Sequence, residues 1–303
     1  MIALAAAIVA CTGAGIWADR RNGAFARRAA HGALDAIFYC LLPFVTFFAL
    51  ARLHVTAGVG VGIALVYTEL AIVGLTAWLV ATRVMRLPRP STGALLVVVM
   101  LANTGFLGLA LCVALLGSHS LPAATAVDSL VSGPMFYLGA FAVGASFGVR
   151  AGDRGLLARV TRNPPLIAAV AGLLAPASVA PHVLVSISHA LVWVMLAAGF
   201  FALGVNLGAE ADEGALAFPP RMTPPVALAV GLRILAAPLL LVALSAVILH
   251  VPRAYLLQAA MPSGINSLVV GHAFGLDLKL ASAALAWTTA IALVAGLVGS
   301  AIS

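Results

Sequence analysis

Leu101-Ala-Asn-Thr-Gly-Phe-Leu-Gly108 and Met261-Pro-Ser-Gly-Ile-Asn-Ser-Leu268 each interrupt an apolar run with amides, small hydroxyls and glycine. Hydrocarbon offers no partner for a backbone freed in this way, so an interruption at membrane depth must line a polar cavity or lie buried in protein. Matching interruptions in two halves of one chain are the sequence sign of a binding site built from discontinuous helices.

The rest of the chain fits that reading. Of 303 residues, 63% are apolar and 8% charged, and the mean hydropathy is +1.16. Ordinary soluble domains do not approach these values, and no stretch remains for a soluble catalytic domain. A spanning helix needs roughly 20 apolar residues. Ten stretches qualify: 2–17, 34–53, 60–84, 93–117, 122–149, 164–181, 183–208, 225–249, 253–275 and 278–299. The first lacks a basic n-region and a cleavage site and is read as a span. The expected fold is an all-α membrane protein of ten transmembrane helices. A basic loop at 151–163 divides it into 1–150 and 164–303, and five helices per half turn the halves into inverted repeats.

Charge sets the orientation. Arg20, Arg21, Arg27, Arg28, Arg83, Arg86, Arg89, Arg150, Arg154, Arg159, Arg162, Arg221 and Lys279 fall in one set of loops and flanks, against Arg52 and Arg253 in the other. The first set is expected to be cytoplasmic, which places both termini outside. The net charge of +7 lies between apolar runs instead of on one face, so no nucleic-acid partner is expected. Cys11, Cys40 and Cys112 are far apart, and the histidines have no ligand spacing. No metal site and no cofactor are expected.

The interruptions supply the candidate binding residues. Half-helix N-termini present unpaired N–H groups and partial positive charge, which attract an anion without a buried lysine. Asn103, Thr104 and Gly105 form one such end, and Pro262, Ser263, Gly264 and Asn266 the other. Asn103 and Asn266 also suit capping or cross-linking of helices. Ionisable residues inside spans mark function by default. Glu69, about 13 Å into the third span by helical rise, can carry a proton or pair with Tyr67 or Arg233. Asp128 is placed to guard the external approach. Arg233 either attracts anions or snorkels to headgroups. Asp35, with His31 one turn earlier, reads as a solvated end, and Gln258 and His272 flank the ninth-span interruption.

With these stretches in view, the chain resembles the auxin efflux carrier family over nearly its whole length. The likeness rests on Gly15-Ile-Trp-Ala-Asp-Arg-Arg21, Leu34-Asp-Ala-Ile-Phe-Tyr-Cys-Leu-Leu-Pro43, Asn103-Thr-Gly-Phe-Leu-Gly108, Arg162-Asn-Pro-Pro-Leu-Ile-Ala168, Ala202-Leu-Gly-Val-Asn-Leu207, and Met261-Pro-Ser-Gly-Ile-Asn266 with Gly275-Leu-Asp277. Ala110 departs from it, standing where many relatives carry proline. The resemblance implies a fold shared with bile-acid sodium symporters, with the fourth and ninth helices broken and crossing. It further implies alternating-access export of a small organic anion, auxin-like or a dicarboxylate such as malonate or malate. The expected location is a bacterial cytoplasmic membrane, with the lipid bilayer, the anion and a second copy in a homodimer as candidate partners.

Two rivals arise. A sodium-coupled symporter of the bile-acid type needs converging oxygens, and Glu69, Asn103, Gln258 and Asn266 are the obvious donors. Gly144-Ala-Ser-Phe-Gly148 fits the serine-hydrolase elbow, but it lies within a helical run instead of a strand-to-helix turn.

Overall fold

The computed structural model describes residues 2–53, 56–149, 164–212 and 220–302. The predicted basic loop at 151–163 lies outside them, as do residues 213–219. The α-helices are α1 Ile2–Ala36, α2 Leu42–Leu50, α3 Ala57–Leu79, α4 Arg89–Met100, α5 Leu109–Leu116, α6 Leu121–Val127 and α7 Phe141–Phe147. They continue with α8 Pro164–Leu174, α9 His182–Asp212, α10 Pro224–Val230, α11 Ala237–Val247, α12 Arg253–Ala259, α13 Asn266–Phe274 and α14 Leu278–Ile302. Helix occupies each of the ten predicted stretches, whole or in pieces. Among the described residues, five helical runs are long and apolar enough to cross a membrane: Ala6–Leu50, Gly58–Val84, His182–Ala209, Pro224–Val247 and Leu278–Ala295.

The sequence places a loop between the first two spans, at residues 18–33, whereas the structure is helical almost throughout it. The turn is confined to Asn22, whose φ of −155° and ψ of 78° are not helical. Its side-chain oxygen accepts the Phe25 N–H at 3.3 Å, which caps the returning helix and removes the need for a longer connection. Ala18 and Ala30 would stand about 18 Å apart along a straight helix. Both instead join one buried cluster with Ala202 and Val205 of α9, so the chain folds back and both arms pack on that helix. Arg27 pairs with Asp19 across the turn at 3.0 Å.

Lipid tails are as apolar as leucine, so close van der Waals packing through small residues, not exclusion of apolar surface from water, holds spanning helices together. The α1–α9 contact shows this. A β-carbon on Gly204 would lie 2.0 Å from the Thr12 carbonyl oxygen, and one on Gly15 would lie 2.2 Å from that of Phe201. On Gly13 it would meet nothing within 4 Å. Gly204→Ala is therefore expected to lose about 1–3 kcal/mol to overpacking, while Gly13→Ala melts as the parent does. Thermal unfolding in detergent checks the pair, and equal melting of both variants would refute this account of the contact.

The sixth stretch is shorter than predicted. Its helix stops at Leu174, and only a 3₁₀ turn at Ala177–Val179 follows. Pro176 disfavours helical geometry at the residue before it and so ends the run.

Candidate functional site

The fourth and ninth stretches are each interrupted where their polar residues fall, and the two interruptions meet. α4 ends at Met100 and helix resumes at Thr104; α12 ends at Ala259 and helix resumes at Asn266. Between them, Ala102 and Ser263 form an antiparallel bridge. The Asn103 N–H donates to the Pro262 carbonyl at 2.8 Å, and the Gly264 N–H donates to Leu101 at 2.7 Å. Each interruption thus satisfies backbone groups of the other. A β-carbon on Gly264 would lie 3.1 Å from the Ala102 carbonyl oxygen, so the absence of a side chain permits this approach.

Past the crossing, both half-helices begin at one cavity of about 380 Å³, within the range of roughly 300–1,000 Å³ usual for small-molecule sites. Asn103, Thr104, Gly105, Gly264 and Asn266 line it. The Asn103 side-chain oxygen accepts the Leu107 N–H at 3.3 Å, so this amide caps its own half-helix. No side chain caps the second half-helix, and Asn266 is exposed to the cavity.

Pro262 and Ser263 belong to the crossing and not to the cavity wall. Ser263 is fully buried, and its hydroxyl donates to the Val98 carbonyl at 2.7 Å. Ser263→Ala is expected to lose about 1 kcal/mol of stability, the usual net value of such a bond, with no change in substrate concentration dependence. A shifted half-saturation concentration in transport assays, without loss of stability, would return Ser263 to the cavity.

The three ionisable candidates part company. Asp128 lines the cavity from a π-helical turn, Asp128–Ser132, and accepts the Thr104 hydroxyl at 2.5 Å. Through that bond it stands beside the crossing. Glu69 and Arg233 are each 1% exposed and lie behind the crossing, outside the cavity lining. Arg233 does not snorkel: its Nε donates to Met261 O and its Nη1 to Val99 O, both at 3.1 Å, and its Nη2 donates to Ala259 O. Tyr67 donates to Leu130 O and not to Glu69, whose Oε1 has no hydrogen-bond partner. Gln258 is buried behind the cavity, donating to Ala124 O at 3.1 Å and Thr104 O at 3.4 Å.

Other lining residues carry no sequence signal. Phe38, Tyr39 and Leu42 come from the second stretch, Phe136 from the fifth and Met195 from the seventh. Ser129 and Ser132, on the same turn as Asp128, did carry one, as a polar run inside an apolar stretch. Asp35 also reaches the cavity. Among the lining residues there are two carboxylates and no arginine, lysine or histidine.

Ser146 lies inside the helix of α7, and its carbonyl accepts a bond from Arg89. The flanking Gly144 and Gly148 pack against Phe274, where β-carbons would come within 2.5 Å of its ring and 2.3 Å of its carbonyl oxygen. This is close helix packing and not a nucleophile elbow. Among the described residues no group of histidine, cysteine and carboxylate side chains is arranged to hold a metal.

A multi-pass bundle of apolar helices whose two discontinuous members meet at an internal cavity has the build of a membrane transport protein. The family model described as "Membrane transport protein" matches residues 1–145 and 153–298, and the chain belongs to that family, the auxin efflux carriers. Membership places it among carriers and away from enzymes. No curated protein matches the chain.

Proposed function

We propose that this protein is a secondary carrier of a small organic anion, an auxin-like monocarboxylate or a dicarboxylate such as malonate or malate, and that it works by alternating access as an exporter. The observation that carries the reading is the meeting of two half-helix N-termini at one cavity. Their N–H groups and the Asn266 amide receive the substrate carboxylate. The halves 1–150 and 164–303 act as inverted repeats that rock about the crossing. Both termini lie outside a bacterial cytoplasmic membrane.

With no basic side chain on the cavity wall, an ionised Asp128 would repel the anion. Asp128 therefore takes up a proton when the anion binds. Proteoliposomes loaded in turn with malonate, malate and indole acetate, with and without sodium and proton gradients, test substrate and coupling together. Flux of a carboxylate that responds to the proton gradient is the expected result. Absence of flux for all three, with an organic cation carried instead, would overturn the reading.

A further inference from the structure

The last carbonyls of a helix lack an intrahelical partner and carry about half a negative charge. Here two such ends converge behind the crossing, Val99 from α4 and Ala259 from α12, joined by the carbonyl of Met261 in the interruption that follows α12. Carbonyl oxygens that converge from half-helix C-termini ordinarily coordinate a cation. In this molecule a side chain occupies that place. A π-helical turn at Gly231–Ala236 carries Arg233, whose planar fork gives one donor group to each of the three carbonyls. The Glu69 carboxylate lies within its electrostatic range, and Glu69 Oε1 has no hydrogen-bond partner.

We propose that Arg233 is a tethered cation filling the carbonyl end of the crossing, a positioning residue that dispenses with a bound alkali ion. The claim rests on the carrier reading above. It assigns the two faces of the crossing opposite treatments. The negative ends are neutralised permanently by a charge that belongs to the chain. The positive ends stay open to the cavity, ready for an anion at any sodium concentration. The sodium-coupled rival draws on Glu69, Asn103, Gln258 and Asn266, of which Glu69 Oε1 and Gln258 Oε1 have no hydrogen-bond partner. The three carbonyls of the crossing already have donors, so it is the sodium arm of the test that separates the two readings.

The test uses the full chain, purified and reconstituted, in sodium chloride and in choline chloride of equal ionic strength. Wild-type flux and melting temperature are expected to be the same in both. Arg233→Met leaves the three carbonyls and Glu69 facing an uncharged side chain, and should melt several degrees lower and lose flux by at least about tenfold. Methylguanidinium or sodium should restore its melting temperature and part of its flux, whereas choline, too large for the site, should not. Melting is read without substrate, so failure of the anion assignment leaves this arm intact.

A wild-type protein that needs sodium, or a folded Arg233→Met variant indifferent to every small cation, would overturn the proposal. If Arg233→Met does not reach the membrane, Arg233→Lys decides. An inserted, active lysine variant insensitive to added cations supports the tethered charge; one that is absent, or active only with sodium, refutes it.

Discussion

Asn266→Ala is expected to abolish carboxylate flux while the protein inserts, purifies and melts as the parent does. The amide is exposed to the cavity, and no hydrogen bond within the described structure engages it. Its removal therefore takes a donor from the substrate and nothing from the fold. Asn103→Ala makes the informative contrast. That side chain caps its half-helix through the Leu107 N–H, so its loss should cost about 1 kcal/mol of stability as well as flux. Transport and thermal unfolding measured on both variants separate the roles. Normal flux in Asn266→Ala would remove the second half-helix from the binding site, and equal destabilisation of the two would make both asparagines parts of the scaffold.

The second large effect concerns Asp128. Two unit charges about 5 Å apart repel by roughly 3 kcal/mol at an effective dielectric near 20, which is two orders of magnitude in affinity. An ionised Asp128 beside a bound carboxylate would carry a penalty of that size. The titratable side chains on the cavity wall are Asp35, Tyr39 and Asp128, and only Asp128 is tied to the half-helix, through Thr104. Wild-type affinity should thus weaken as pH rises and the carboxyl ionises. Asp128→Asn imitates the protonated form permanently. Its affinity should no longer vary with pH, downhill flux should persist, and accumulation driven by a proton gradient should vanish. Uphill accumulation by this variant with the parent's pH profile would move proton coupling elsewhere, with Glu69 the next group to test.

The interruptions were readable from sequence because hydrocarbon is intolerant of unpaired backbone. Asn103, Pro262 and Gly264 stand in runs that would otherwise be unbroken helix, and the structural interruptions fall on them, while Gly105 lies in the first turn of the helix that resumes at Thr104. What each residue faces was not readable. Ser263 and Asn266 look alike in sequence, yet the backbone bridge at Ala102 and Ser263 leaves the serine to Val98 and the asparagine to the cavity. Arg233 was recognisable as an expensive residue, but its partners are carbonyls, which every residue has and no sequence reveals. Phe38, Phe136 and Met195 line the cavity with side chains indistinguishable from those that face lipid. The turn at Asn22 was hidden for a different reason: the arginines around it imply a loop, while the alanines between them make good helix and pack on α9.

The bridge between Ala102 and Ser263 also bears on biogenesis. Its two strands are separated by some 160 residues of chain, which a ribosome adds in roughly 8 to 30 s. Throughout that interval the Asn103 N–H and the Leu101 carbonyl sit in a nascent bundle without the groups that later complete them. The first half must therefore be shielded during translation, by the insertion machinery or by water, and a chain released before residue 264 should be cleared by quality-control proteases instead of persisting as a half-carrier.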